Sequence, residues 1–305
     1  MPAISARALS RSFGGAPAVA ALTFDVEPGR LFGIVGPDGA GKTTTLRMLA
    51  GVLPPTSGDA VVLGVSVARD PEGVKPHIAY MSQRFGLYQD LTVRENILFY
   101  ADLYRVPSGE LPVRMERLYR FSRLGEFEHR LAGQLSGGMK QKLSLSCALV
   151  HHPSVLLLDE PTFGVDPISR RDLWLILHQM VADGMTVLVT TSYMDEAERC
   201  DSVALLHEGR LLALDSPAAI QRRLDDRLFV IRGPNPRALR DVLRAVPRVR
   251  YATLFGDAVH VVSEAGVQAE ALRRALSEAG AASAGIEPAR ASLEDAFIEL
   301  VGDRS

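Results

Sequence analysis

The stretch Gly36-Pro37-Asp38-Gly39-Ala40-Gly41-Lys42-Thr43 constrains the fold more than any other part of this chain. It follows the apolar run Leu-Phe-Gly-Ile-Val at 31–35 and leads into residues 44–49, where Leu46 and Leu49 fall at helical spacing. The pattern GxxxxGK[ST] between a strand and a helix is a phosphate loop. Its glycines let successive backbone N–H groups turn inward, and the positive end of the helix that follows adds to the field. Gly36, Pro37, Asp38, Gly39, Ala40, Gly41, Lys42, Thr43 and Thr44 are therefore candidate phosphate-binding residues. Lys42 has the reach for the outer phosphates, and the Thr43 hydroxyl can join the shell of a Mg²⁺ ion. A loop of this kind belongs to α/β proteins, at the C-terminal edge of a parallel sheet.

Composition limits what surrounds the loop. With 305 residues, 47% of them hydrophobic, and a formal charge of −2, the chain has the make-up of a globular protein of about two domains. That charge gives nucleic acid no electrostatic footprint to bind. No apolar run is long enough to cross a bilayer and residues 1–15 contain no signal-peptide core, so a cytoplasmic chain is expected. Cys147 and Cys200 stand alone, without the spacing of a metal site or a disulfide framework. Of the 34 basic residues only four are lysines, and Lys42 is one of them.

In chain order, Ile4 to Phe13 and Leu22 to Val26 read as strands before the loop. The Phe13 ring, followed by two glycines, can stack on a purine base or close a strand end. Residues 61–63 and 77–81 read as further strands, the second running into Gln83, whose amide would stand near the phosphates. From about 86 to 150 the apolar spacing turns helical and suggests an inserted subdomain. Within it, Ser136-Gly137-Gly138 opens a helix, with Ser136 as N-cap and two glycines leaving amides open to an anion. Val155-Leu156-Leu157-Leu158-Asp159-Glu160 is a continuous apolar run closed by two acids, which predicts a central strand with carboxylates at its ligand-binding edge. There Asp159 can support a metal and Glu160 can activate a water.

These motifs, together with Gly164-Val165-Asp166-Pro167 and Thr191-Ser192-Tyr193-Met194-Asp195-Glu196, follow the order and spacing of the ATP-binding subunit of ABC transporters. The chain resembles that family over roughly residues 1–224. The resemblance implies the ABC type of P-loop NTPase and a head-to-tail dimer of two ATP-binding domains, with ATP between one phosphate loop and the partner's Leu-Ser-Gly-Gly-Met. It implies that Phe13 stacks on adenine, that Gln83 senses Mg²⁺ and the membrane subunit, and that Asp159 supports the metal. Glu160 would be the catalytic base, Ser136, Gly137 and Gly138 would complete the partner's site, and Asp166 would link the two sites. Where the family places a histidine against the γ-phosphate, this chain has Ser192. In that detail, and in FGLYQDLTV and DPISRRDLW, it looks similar to the first half of tandem-domain bacterial drug-efflux ATPases that work with ABC-2 permeases. Such a subunit would sit in the cytoplasm against the inner face of the membrane.

Residues 225–305 carry no motif. Their alternation predicts βαββαβ, a small ferredoxin-like α+β domain, and Ser292-Leu293-Glu294-Asp295 opens a last helix with a capping-box-like start. Three functions compete: an ATPase that drives an ABC-2 exporter of drugs or xenobiotics, a soluble ABC-type ATPase, and a nucleotide-gated regulator with little turnover, which Ser192 favours.

Overall fold

The computed structural model describes residues 1–83, 86–281 and 283–302. It opens with a hairpin of β1 (Ile4–Phe13) and β2 (Ala16–Val26), followed by β3 (Leu31–Val35), α1 (Lys42–Leu49), β4 (Ser57–Val62), β5 (Val65–Ser66), α2 (Pro71–Val74) and β6 (Ile78–Met81). Three helices come next, α3 (Val93–Leu103), α4 (Leu111–Ser122) and α5 (Gly137–Leu149). Then follow β7 (Val155–Asp159), α6 (Pro167–Ala182), β8 (Thr186–Thr191), α7 (Met194–Ala197), β9 (Ser202–His207), β10 (Arg210–Asp215) and α8 (Pro217–Gln221). The remainder is β11 (Leu228–Arg232), α9 (Pro236–Arg244), β12 (Val249–Phe255), β13 (Ala258–Ser263), α10 (Ala269–Glu278), β14 (Gly285–Pro288) and α11 (Leu293–Gly302).

Two compact units emerge. The first holds residues 1–193 and 200–211, and the second holds 194–199 and 212–305. The first unit is built on the parallel strands β9-β3-β8-β7-β6 of a six-stranded sheet whose full order is β10-β9-β3-β8-β7-β6. Its strands are apolar throughout because both faces are covered: all five residues of β3 and of β7 are buried, as are all six of β8. An antiparallel sheet, β2-β1-β4-β5, packs Ile4, Leu9, Leu22 and Phe24 into the same core as Leu46 and Leu49 of α1. Strand β2 begins at Ala16, six residues before the expected Leu22, because Ala16 pairs with Phe13 and Val19 with Arg11 across the hairpin. Small alanines with weak strand preference are held there by that pairing.

Helices α3, α4 and α5 occupy the region expected to be helical. Thr92 and Glu95 form a reciprocal capping box at the start of α3. The buried Asn96 amide donates to the carbonyls of Tyr88, Leu91 and Thr92, which ties the loop before α3 to the helix itself. Phe85, which the sequence groups with Leu87 and Tyr88, lies outside the described residues.

The second unit carries an antiparallel sheet in the order β12-β13-β11-β14, with α9 and α10 as the crossovers. Counted from β11 this is 4-1-3-2, the ferredoxin-like arrangement. Leu239 and Leu243 of α9 and Leu272 and Leu276 of α10 pack against Phe229, Ile231, Val259 and Val261. The expected capping box at α11 is present: Asp295 N–H donates to Ser292 Oγ (3.1 Å), and Ser292 N–H donates to Asp295 Oδ2 (2.9 Å). The single turn of α7 belongs to this second unit.

Candidate functional site

The strand order assembles the site. In the parallel sheet β3, β8, β7 and β6 are successive neighbours, with Val35 level with Thr191, Asp159 with Thr190, and Met81 with Leu158. Residues just past the C-terminal ends of these strands must therefore stand in one row: the phosphate loop after β3, Ser192 after β8, Asp159 and Glu160 at the end of β7, and Gln83 after β6. This is the edge where open α/β sheets bind ligands.

The loop is shaped by close approach. A Cβ at Gly36 would fall 2.2 Å from the Leu206 carbonyl, so only glycine fits against β9. Gly41 has φ +98° and stands directly before α1, where a Cβ would meet the Ala18 carbonyl at 2.5 Å. Lys42 is buried, and its ammonium donates to the carbonyls of Gly36 (2.8 Å) and Pro37 (3.0 Å) and to Ser192 Oγ (2.8 Å). It also pairs with Glu160 Oε1 at 3.0 Å. With its amine satisfied on every side, Lys42 is held at the mouth of the loop rather than free to sample solvent.

The two acids have different surroundings. Asp159 is buried, and its Oδ1 accepts from Thr43 Oγ1 and from Thr190 Oγ1, each at 2.9 Å. Burial pushes its carboxyl above the usual range and the neighbouring Glu160 charge adds to this, against the two hydroxyl bonds. Glu160 has φ +48°, a left-handed conformation uncommon for a side chain of its size, and its N–H donates to Thr190 Oγ1 at 2.9 Å. Thr190 is thus the pivot of the acidic pair, holding the side chain of one acid and the strained backbone of the other. Nothing in the composition of β8 marks it; the only available signal is a hydroxyl at the end of an apolar strand two residues before Ser192.

Ser192 sits at the centre of the cluster. Its hydroxyl accepts from Lys42 and can donate to Glu160 Oε1 (3.0 Å) or to the more distant Asp38 Oδ1 (3.3 Å). Gln83 Nε2 donates to the other Glu160 oxygen at 3.1 Å. Phe13, Asp38, Lys42, Thr43, Gln83 and Glu160 share one cleft of ≈ 550 Å³ with Gly39, Gly41 and Thr44. Phe13 leaves about half of its ring in solvent (49%), with the Arg11 guanidinium 4.8 Å from the centroid. An aromatic face open at the rim of a phosphate-sized cleft is suited to a flat base.

Thr43, Asp159 and Gln83 offer oxygen donors and a single carboxylate. This is the donor chemistry of a hard cation that keeps water and phosphate as its remaining ligands. The Asp159 carboxyl, pushed up by burial, fits such an ion, and no cluster of three or more His, Cys, Asp or Glu side chains suited to a metal occurs among the described residues.

Ser136, Gly137 and Gly138 are not among the residues lining that cleft. Ser136 caps α5, its Oγ accepting from Met139 N–H at 3.3 Å, and both Ser136 and Gly137 are exposed. Asp166 caps α6 through the N–H groups of Ile168 (3.1 Å) and Ser169 (2.9 Å). These backbone bonds, Ser169 first, hold its carboxyl below the usual range. On either side of it Phe163 and Ile168 are 57% and 70% exposed, two large apolar side chains on one short stretch.

Residues 19–163 match the family model described as ABC transporter. Over 98% of its length the chain is 44% identical to a probable multidrug ABC transporter ATP-binding protein, YbhF, of Escherichia coli K12, and it spans only about half of that relative (52%). It is 36% identical to the Nod factor export ATP-binding protein I of Paraburkholderia xenovorans, over 96% of this chain and 95% of the relative. A solved ATP-binding subunit of an ABC transporter superposes with a TM-score of 0.65 at 31% identity, covering 72% of this chain and 92% of its own. CbiO1 from Clostridium perfringens, part of the ABC transporter complex cbiONQ, shares the fold with a TM-score of 0.67 at 23% identity, over 81% of this chain and 96% of its own. With near full-length likeness to an export ATP-binding protein added to this site, the chain belongs to the family of ABC transporter ATP-binding proteins.

Proposed function

We propose that this protein binds and hydrolyses Mg-ATP to power an ABC-2 type membrane exporter. The observation that carries the reading is that Lys42, Thr43, Gln83 and Glu160 line one cleft, with Ser192 bonded to Lys42 and Glu160 and Asp159 bonded to Thr43. ATP lies in that cleft with adenine on Phe13 and its phosphates along Gly36–Thr44. On binding, the phosphates take over the Lys42 ammonium that Glu160 and Ser192 hold. Thr43, Gln83 and Asp159 would hold Mg²⁺, which would supply positive charge against the phosphates. Glu160, once released from Lys42, accepts the proton of the attacking water. Ser192 offers a hydroxyl, without a positive charge, where a histidine would otherwise approach the γ-phosphate.

A single chain supplies one wall of that cleft in this scheme. A second ATP-binding domain, from the same or a different chain, closes it head to tail with Ser136, Gly137 and Gly138, and Asp166 with its exposed apolar neighbours Phe163 and Ile168 lies in that contact. The membrane subunits dock near Gln83, where Leu87 and the exposed Tyr88 lead into α3, so that Gln83 connects the docking surface to Glu160. The names of the relatives, multidrug transport and Nod factor export, support outward transport. A drug or xenobiotic is the proposed cargo, and the proposed location is the cytoplasmic face of the inner membrane. No helix among the described residues is long and apolar enough to cross a membrane. Residues 1–224 are proposed to act as the ATP-binding domain and 225–305 as an accessory domain.

The test is reconstitution. Membrane subunits that co-purify with this chain, placed in lipid discs with it, should raise its phosphate release severalfold and confer ATP-dependent efflux of a drug from vesicles. Phosphate release that no co-purifying membrane protein alters would favour the soluble ATPase.

A further inference from the structure

Asp38 places a carboxylate inside a loop whose task is to hold phosphate. It is exposed, and its Oδ1 lies 3.3 Å from Ser192 Oγ, which itself receives the Lys42 ammonium at 2.8 Å. Asp38 is therefore one side chain removed from the amine that meets the outer phosphates. Glu160 lies 3.0 Å from the same amine, so one carboxylate pairs with the lysine directly and a second reaches it through Ser192. Glu160 has partners of its own in Gln83 and Ser192 and is directed toward Lys42. Asp38 has no ion pair among the described residues, and its charge is left facing the place where the last phosphate must lie.

We infer that Asp38 is a specificity-determining residue that weakens binding of the triphosphate relative to the diphosphate. The inference rests on the reading of this cleft as an ATP site. Like charges close together repel, and the repulsion decays with distance and with solvent screening. The γ-phosphate, nearest Lys42 and Ser192, feels the Asp38 carboxylate most, and the α- and β-phosphates further along the loop feel it less. An amide at this position would instead donate to phosphate and leave the shape of the loop unchanged. Asp38 thereby loosens the ATP-bound state at the same end of the nucleotide where Ser192 withholds a cation. The two residues act together, and the chain holds ATP weakly unless Mg²⁺ and a second domain cover the charge.

The experiment is equilibrium binding of fluorescent ATP and ADP analogues, with Mg²⁺, to the full chain and to Asp38→Asn, Asp38→Ala and Lys42→Ala. The expected result is that Asp38→Asn and Asp38→Ala each tighten the ATP analogue by about three- to tenfold and the ADP analogue by less than about twofold. The difference should shrink as salt is raised. Equal tightening of both nucleotides, or tightening by Asn alone, overturns the inference, since the effect would then be loop geometry or a new hydrogen bond rather than charge. Binding of ATP that Lys42→Ala weakens but neither Asp38 variant changes overturns it as well, leaving the reading of the cleft intact. An unaltered chain that binds neither nucleotide overturns that reading and this inference with it.

Discussion

Thr190→Val removes one oxygen and should disturb both acids of the site. The residue is buried, and valine has nearly its shape, so packing changes little. What goes is the hydroxyl that donates to Asp159 Oδ1 and accepts from the Glu160 N–H, both at 2.9 Å. Loss of a hydrogen bond to a buried charged group costs about 1.5–3 kcal/mol, and an unpaired buried N–H about 1–3 kcal/mol. The gain of an apolar methyl offsets part of this, and about 2–4 kcal/mol remains. For a unit of this size each kcal/mol moves the thermal midpoint by about 2–4 °C, so the midpoint should fall by about 4–16 °C. Glu160, whose left-handed backbone loses its anchor, should also shift enough to lower turnover by at least about tenfold. Differential scanning calorimetry and steady-state phosphate release on purified protein measure the two effects. Thr190→Ser, which restores the hydroxyl, should recover most of both. A Thr190→Val protein with an unchanged midpoint and unchanged turnover would refute the claim that this hydroxyl holds the acidic pair.

Three further outcomes are expected. Ser192→His should raise turnover by about tenfold or more, since a donor that can carry charge at the γ-phosphate contributes roughly 10²–10³ in sites of this kind; phosphate release with and without membrane subunits checks it. Alanine at Leu87 and Tyr88 together should reduce co-purification with the membrane subunits while leaving ATP affinity unchanged, and loss of both would mean that the pair packs inward. In the second unit, burial pushes the Asp295 carboxyl up, but hydrogen bonds from His260 (2.8 Å) and Ser292 outweigh it and hold the group below the usual range. A depressed carboxyl contributes stability that is present above about pH 4 and is lost as pH falls toward the folded value, so Asp295→Asn should flatten the acid limb of an unfolding-versus-pH curve.

Much of the architecture can be read from the sequence because its signals are local. The apolar run ending in Asp159-Glu160 can only be a covered strand, and the covered strand is β7. Ser136 and Ser292 announce helix starts through their own side chains, and both cap helices in the structure. Cys147 and Cys200, without company in the sequence, are both buried. The parts that escape depend on pairing between distant segments. Strand β2 starts at Ala16 because β1 holds it, not because Ala-Pro-Ala favours a strand. The importance of Thr190 follows from its register opposite Asp159, which only the strand order β8-β7 reveals. Helix α7 groups with 212–305 rather than with the strands on either side of it, since α11 packs against α7, and the Leu293 N–H donates to Glu198 just beyond it (3.1 Å). Ser192 is legible as a serine, but its position between Lys42, Glu160 and Asp38 is not.

Lys42 and Glu160, ion-paired at 3.0 Å, must separate if one is to bind and the other to cleave the same ATP. Steady-state phosphate release by the purified chain, set beside Glu160→Gln and Lys42→Ala, tests it most directly. The expected result is slow Mg²⁺-dependent release that Glu160→Gln lowers by at least about 10²-fold while ATP still binds, and that Lys42→Ala removes together with binding. Release that survives Glu160→Gln undiminished would contradict it, because another group would then be taking the proton of the attacking water.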